Sequence, residues 1–387
     1  MKRNILTLAV AAGLIASAGV ASADPTLYGR VHLALETASD SEKAGLSGVS
    51  EDTDMNSRKS VIGVKGTEDL GNGLKAFYKM EWEVDPADSG VGGKGKNLDG
   101  RDQFAGLKGG WGKALFGTAS SNYKQMGSKI DPFWHHAAEG RGYTNTMSKY
   151  HGGKGTDRGR MTNMLQYTTP KMAGIEVVLN YTLNGATTGT TGAPINCASS
   201  VGAGSLPADP ATVPGATSLK DLGVSSLSGI GSGLCGGDET LGAGIRWSNK
   251  DFLVYFDYLD PDEYGIGPIN SDNYTPADES IMKIGGKWSA KQFWISAQYE
   301  MAEDQTGGDY AFIAGNFDIN KNNAIAATYG MHDNLSNGYA IGYTHKMSKQ
   351  TKVYVDYSAL NDDLNDTPAG YEKFDDSVIA LGFVKSF

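Results

Sequence analysis

The chain has 387 residues, 53 of them glycine and only 12 proline, with 20% charged and 40% hydrophobic side chains and a net charge of −10. Glycine at roughly twice its usual share, with no proline excess, argues against collagen-like or proline-rich repeats. The 19 Tyr, 12 Phe and 6 Trp supply enough apolar surface to order a chain, which argues against wholesale disorder. The acidic balance argues against a nucleic-acid partner, because nothing would offset phosphate repulsion.

The first 23 residues are a separate object. Lys2 and Arg3 precede an apolar, small-residue stretch from Ile5 to Val20, and Ala21-Ser22-Ala23 is the small-x-small pattern that signal peptidase cuts. Residues 1–23 therefore read as a signal peptide cleaved after Ala23, and residues 24–387 as the exported domain. A membrane-anchoring helix is the poorer reading, since the apolar core is short. After Ala23 no run of 18 apolar residues follows, so no transmembrane helix is available. A soluble exported protein and a membrane-spanning barrel, whose strands need only about ten alternating residues each, both stay open.

Periodicity along the chain is that of strands. Ile175, Val177, Leu179 and Tyr181 share one parity against Glu176, Val178 and Asn180. The rhythm returns in Leu241–Trp247, in Phe252–Tyr258, in Phe293–Met301 and in Val353–Tyr357. Period 2 with one apolar face fits a sandwich as well as a barrel. The connections discriminate. Tight ones at 69–73, 110–112, 248–251, 289–291, 320–322 and 347–350 alternate with longer ones at about 38–57, 87–100, 119–159, 184–238, 260–279, 302–309, 332–337 and 360–373. Long loops on one rim and tight turns on the other are the habit of a transmembrane barrel. Counting strands between them gives sixteen, an even number that leaves an aqueous channel. The expected fold is all-β, a 16-stranded antiparallel transmembrane β-barrel. Its last strand, Ser377–Phe387, sets Ile379, Leu381, Phe383 and Phe387 outward with Lys385 on the same parity, and the terminal Phe387 is the pattern that barrel assembly reads.

Several other signals carry less. Cys197 and Cys235 are the only cysteines and share the longest loop, where an oxidising compartment favours a disulfide. Closing that loop is worth roughly 4 kcal/mol in the entropic account; two free thiols are the alternative. Gly90–Asn97 nearly spells a phosphate loop but lacks the Ser/Thr and the following helix. His135, His136 and His151 lie in one loop without strict ligand spacing, and Asn361–Asp366 lacks the twelve-residue calcium pattern. No metal or cofactor is expected. The histidines are instead expected to make pore charge sensitive to mild acid.

Over its whole exported length the sequence resembles the general trimeric porins of Gram-negative bacteria, in their neisserial and β-proteobacterial branch. The resemblance rests on Thr26-Leu27-Tyr28-Gly29, on Gly63–Ala76 through Glu81, on Arg101–Gly109 with Trp111-Gly112, on Arg160–Gly174, on Tyr343–Thr351 and on Phe387. It implies an outer-membrane homotrimer surrounded by lipid, each barrel a passive diffusion channel for ions and small hydrophilic solutes. It also implies that the third long loop, about 119–159, folds into the lumen, and that the second, about 87–100, latches a neighbouring subunit.

In such a channel basic wall residues face an acidic loop across a low-dielectric gap. Inward parity and the family pattern together nominate Lys59, Lys65, Arg101 and Arg160 for the basic wall. Asp131, Glu139 and Asp157 are nominated for the acidic loop, and Lys79 and Glu81 as further lumen residues, with Gln103 and Thr162 also inward. Two positions where the family carries arginine are Val61 and Thr118, which predicts little selectivity or a mild cation preference. A substrate-selective channel would need a lumenal aromatic track, for which Phe77, Tyr255 and Trp294 are candidates. A barrel enzyme or adhesin is the alternative of another class, and no nucleophile motif supports the enzyme.

Overall fold

The computed structural model describes residues 25–39, 53–88, 98–152, 159–182, 240–260, 280–302, 308–333, 336–362 and 375–387. The signal peptide, Asp157, Cys197 and Cys235 lie outside the described residues, as do 89–97 and 363–374.

Alternating side chains give strands along the whole chain. They are β1 (Thr26–Ser39), β2 (Asp54–Ser57), β3 (Val61–Gly71), β4 (Leu74–Glu83), β5 (Asp99–Gly109), β6 (Gly112–Ser120), β7 (Arg160–Thr168), β8 (Ile175–Thr182) and β9 (Leu241–Ser248). There follow β10 (Phe252–Asp260), β11 (Ile281–Ser289), β12 (Phe293–Met301), β13 (Tyr310–Asp318), β14 (Asn323–His332), β15 (Ser336–Lys346), β16 (Thr351–Asp362) and β17 (Asp375–Ser386). Apart from β2 and β3, each pairs antiparallel with its sequence neighbours, and β1 pairs with β17, so the sheet closes. Segments β2 and β3 both pair with β1 and form one stave broken at Arg58–Ser60, so seventeen segments make sixteen staves. The sequence had placed residues 54–57 in a loop; they belong to the wall.

Closure leaves no edge unpaired among the described strands, which hydrocarbon demands. The outer parity is apolar and exposed, as at Leu179, Ile245, Ile295, Ile313, Ile341 and Leu381. Ile379, Leu381, Phe383 and Phe387 all lie on that face, as the last strand's pattern predicted. Aromatics gather where membrane meets water at the tight-turn rim. Trp111 stacks on Tyr167, and Trp288 lies between Phe252 and Phe293. The ring seals at Gly29, whose backbone N–H donates to Phe387 O and whose carbonyl accepts from Phe387 N, both at 3.1 Å. A Cβ on Gly29 would overlap the Phe387 ring, so this position must be glycine for the terminal ring to lie flat across it.

Between β6 and β7 the chain leaves the wall. Helix α1 (Asn122–Ile130) starts with Ser121 Oγ accepting from Lys124 N, and a turn of 3-10 helix covers Lys149–His151. This segment packs against the polar, lumenal face of β9 to β16. Tyr255, Phe312 and Ala314 of the wall are buried together with Met126, Ile130 and Met147 of the loop. Gly338 of β15 lets the loop approach closely, since a Cβ there would collide with the backbone of Thr144.

Candidate functional site

The site is built from two facing parts. On β1 to β7 the inner wall carries a charged cluster. Arg101 donates to Glu81 and Glu83, each at 2.8 Å, and Lys59 reaches Glu83 at 3.2 Å. Arg160 binds Asp102 at 2.7 Å, and Lys79 bridges Asp102 and Glu81 at 2.9 and 3.1 Å. Tyr28 donates its hydroxyl to Glu81, and Arg30 donates to the carbonyl of Lys59. Charge-assisted hydrogen bonds of this density hold long side chains in fixed rotamers, which suits a rigid, water-lined surface.

Three irregularities in the ladder aim these side chains. Lys59 sits in the β2–β3 break with φ +59°. Arg101 and Asp102 together oppose the single residue Glu81, and Thr162 and Asn163 oppose the single residue Thr118, with Asn163 at φ +50°. A bulge inserts one extra residue and re-aims its neighbours. For this reason Asp102 points inward beside Arg101, and Gln103 pairs with Met80 on the outward parity rather than facing the lumen.

The loop is fixed to the opposite wall by buried polar contacts. Glu300 of β12 accepts from Tyr123 at 2.9 Å and from Ser148 Oγ at 2.6 Å, and pairs with His151 at 3.1 Å. Asn122 donates to Asp257 and to the Ala243 carbonyl, while Ser296 donates to the Ile130 carbonyl and Lys283 to that of Tyr123. His136 Nδ1 meets Asp356 at 2.6 Å and its Nε2 lies 3.2 Å from Lys352 Nζ. An ammonium only donates, so Nε2 accepts, Nδ1 carries the proton and the imidazole is neutral. His136 also stacks on Tyr354 with ring centres 3.9 Å apart.

The three loop histidines therefore diverge. His136 goes to Asp356, His151 to Glu300, and His135 lies beside Trp134, over which Arg141 stacks at 4.5 Å. Among the described residues no group of three or more His, Cys, Asp or Glu converges on a metal position. Burial holds His136 well below the usual imidazole range and takes His151 down to about 4. His135 is lowered by burial first and then by the charges of Arg30, Arg141 and Arg101. Lys124 is pushed down to about 6 by burial and by Arg160, Arg141 and Arg101. These influences mark which loop groups face the charged wall.

The nominated residues divide accordingly. Lys59, Arg101, Arg160, Lys79 and Glu81 share the wall cluster, whereas Lys65 lies apart over the Tyr28 ring at 5.0 Å. Glu139 accepts from His135 N and from Arg141. Asp131 is 5% exposed, and its two oxygens accept from the backbone N–H groups of Phe133 and Gly140, so it staples the loop to itself. Burial raises its carboxyl to about 7 against those hydrogen bonds. Of the aromatic candidates, Tyr255 is buried under the loop and Phe77 packs against Phe104. Glu83, on the same inward parity as Lys79 and Glu81, joins the cluster, while Arg30, Asp102 and Arg141 escaped the sequence reading. Parity along β1 from Tyr28 through Arg30 to His32 would have found Arg30.

Comparisons with known proteins agree with this architecture. Residues 7–365 match the Gram-negative porin family. The major outer membrane protein P.IB of Neisseria meningitidis serogroup A is 35% identical over 192 residues, 48% of this chain and 50% of that protein. Its counterpart from Neisseria gonorrhoeae is 30% identical over 183 residues, 47% of this chain and 48% of that protein. The chain thus spans about half the length of the curated relatives it matches. Among solved structures, the anion-selective porin from Comamonas acidovorans superposes with a TM-score of 0.65 at 18% identity, covering 95% of this chain and all of that one. OmpT of Vibrio cholerae, in a trimer form, gives 0.57 at 12% identity over 95% of this chain and 100% of that one. These likenesses concern the fold, and the family match carries the location, the outer membrane of Gram-negative bacteria. The chain belongs to the Gram-negative porin family.

Proposed function

We propose that this porin is a passive, water-filled diffusion channel for ions and small hydrophilic solutes, performs no covalent chemistry and works as a homotrimer. The observation that carries the reading is the juxtaposition of a wall of paired charges with a loop pinned against the opposite face of a sixteen-stave barrel. That number of staves leaves an aqueous interior, and the loop narrows it. The trimer is suggested by the Vibrio cholerae structure in trimer form. Lys59, Arg101 and Arg160 form the basic side of the constriction with Arg30 and Lys79, and Lys65 stands towards the tight-turn mouth. On the loop side Glu139 lines the passage with Arg141, and Asp157 belongs to the same loop; Asp131 serves the loop's own shape. The exported chain begins after Ala23.

The charge balance favours anions. Among the described residues, Arg30, Lys59, Lys79, Arg101, Arg160 and Arg141 outnumber Glu81, Glu83, Asp102 and Glu139 around the gap. In a low-dielectric constriction such an excess sets the sign of the permeating ion. This is opposite to the preference expected from the missing arginines at Val61 and Thr118. Conductance of the refolded protein in a planar bilayer under a KCl gradient tests both parts. Current steps in groups of three with an anion-biased reversal potential are expected. A cation bias would remove the charge argument, and folded protein without conductance would remove the channel.

A further inference from the structure

At the tight-turn rim, a recess of about 330 Å³ opens between the loop helix and the wall. Five cations from five separate segments line it. They are Lys129 in the last turn of α1, Lys171 in the β7–β8 turn, Arg246 on β9, Lys250 in the β9–β10 turn and Lys287 on β11. Only Glu176 and Asp251 oppose them in the lining. The contrast with the Arg101 cluster is chemical. There every basic residue except Arg30 and Lys65 has a carboxylate within 3.2 Å. Here Lys129, Lys171, Lys250 and Lys287 make no ion pair among the described residues. Lys171 donates to Ser248 Oγ at 2.7 Å, and Lys287 donates to the Lys129 carbonyl at 3.1 Å while standing 3.7 Å from the centre of the Trp294 ring.

Arg246 supplies a second and independent observation. It is only 8% exposed. One terminal nitrogen reaches Gln125 Oε1 at 3.0 Å and Glu176 at 3.5 Å, and the other donates to the Asn122 carbonyl at 3.3 Å. Its buried Nε has no hydrogen-bond partner among the described residues. A buried donor without an acceptor costs free energy that a ligand oxygen would recover. Five cations against two carboxylates leave a net repulsion among them, and a bound anion would relieve that too.

We propose that this recess is a binding site for a small polyanion, a solute carrying two or more neighbouring anionic oxygens of the phosphate-ester, pyrophosphate or polycarboxylate kind. Arg246 supplies a directed guanidinium donor to one anionic group, and Lys129 and Lys287 are placed as mobile point charges for the next. The recess lies at the mouth, on the tight-turn side, and its cations are distinct from those around Arg101. Binding does not depend on whether the barrel conducts.

Calorimetric titration of the folded protein in detergent with inorganic pyrophosphate at low salt tests the site. Saturable binding of one ligand per chain is expected, weakened about tenfold or more in Arg246→Gln and in the double variant Lys129→Gln with Lys287→Gln. The lysine pair is included because Arg246 also holds the loop helix, so the double variant decides alone if Arg246→Gln fails to fold. Quenching or enhancement of Trp294 emission that saturates with the heat signal, and vanishes in Trp294→Phe, would place the ligand beside Lys287. Absence of saturable binding, or equal binding by all variants, would overturn the proposal. So would binding that survives the double variant but disappears in Arg101→Gln, since the anion would then belong to the narrow part of the channel. A conducting barrel that fails to bind pyrophosphate refutes this site and leaves the channel standing.

Discussion

The two halves of the barrel wall solve opposite problems with the same residue types. From β1 to β7 the ladder is interrupted at Arg58–Ser60, at Arg101–Asp102 and at Thr162–Asn163, and the charges aimed inward pair with one another along the wall. From β8 to β17 the described ladders run without a register shift, and the inward charges Asp257, Glu300 and Asp356 are consumed by the loop. Irregular backbone goes with charges that pair with one another along the wall, and regular backbone with a surface that has to fit another part of the chain. A buried carboxylate holds the loop on one side of the lumen and pairs with wall cations on the other, the difference being what it faces.

Breaking the covered half should have the larger effect. Glu300→Ala removes the shared acceptor of Tyr123, Ser148 and His151 and leaves them buried without it. Losing one partner of such a buried set costs roughly 3–5 kcal/mol, so the loop should detach from the wall. Raised, noisy single-channel currents and new protease cleavage between 121 and 152 are expected, and unchanged currents with intact loop would show that Glu300 is not its main anchor.

Acid probes the same half more gently. His151 is neutral in the folded loop because burial lowers its pKa to about 4, against the ordinary imidazole value of 6.5. Above 6.5 the residue is neutral whether the loop is docked or free, and docking is at full strength. Between 6.5 and 4 the free loop takes up the proton that the docked one refuses, so this contribution is progressively lost as pH falls. Protease sensitivity of the loop should rise across that window in wild type and rise less in His151→Gln, which keeps a neutral donor. Identical curves would exclude His151 as the acid-sensitive group.

The half with paired wall charges should respond least in stability and most in selectivity. Glu83→Gln releases charge from Lys59 and Arg101 without touching the loop. Arg101 keeps its partner Glu81, and the partly exposed Lys59–Glu83 pair is of a kind that contributes about 0–1 kcal/mol, so the heat-modified band should shift little. The reversal potential should move further towards anions. A large loss of heat stability with no change in reversal potential would reverse the roles assigned to the two halves.

Legibility in the sequence follows the same division. Period-2 alternation and the sorting of long and tight connections carried the closed barrel, because those signals are local and repeat sixteen times. Parity located Arg101, Lys79 and Glu81 on the inner face, since a regular strand preserves it. It failed at Gln103, where the extra residue at Arg101–Asp102 shifts every later side chain, and no residue type announces a bulge there. Asp131 looked like a lining acid because its burial is created by the loop's own fold, with Phe133 and Gly140 supplying donors that only tertiary structure brings together. Glu300 and Asp356 were visible as inward polar residues, but their partners lie about 150 and 220 residues away.

The seam between Gly29 and Phe387 has a kinetic meaning as well. It joins positions separated by nearly the entire chain, so no local hairpin can nucleate it, and it is the least local contact the barrel makes. The entropy lost in closing so long a loop grows only with the logarithm of its length. The obstacle is the edge itself, because β1 and β17 each present a row of unsatisfied peptide groups until they meet, and lipid offers those groups nothing. Insertion and ring closure are therefore coupled into a single event, in which the two outermost strands must be held sheltered from hydrocarbon until each can be handed to the other.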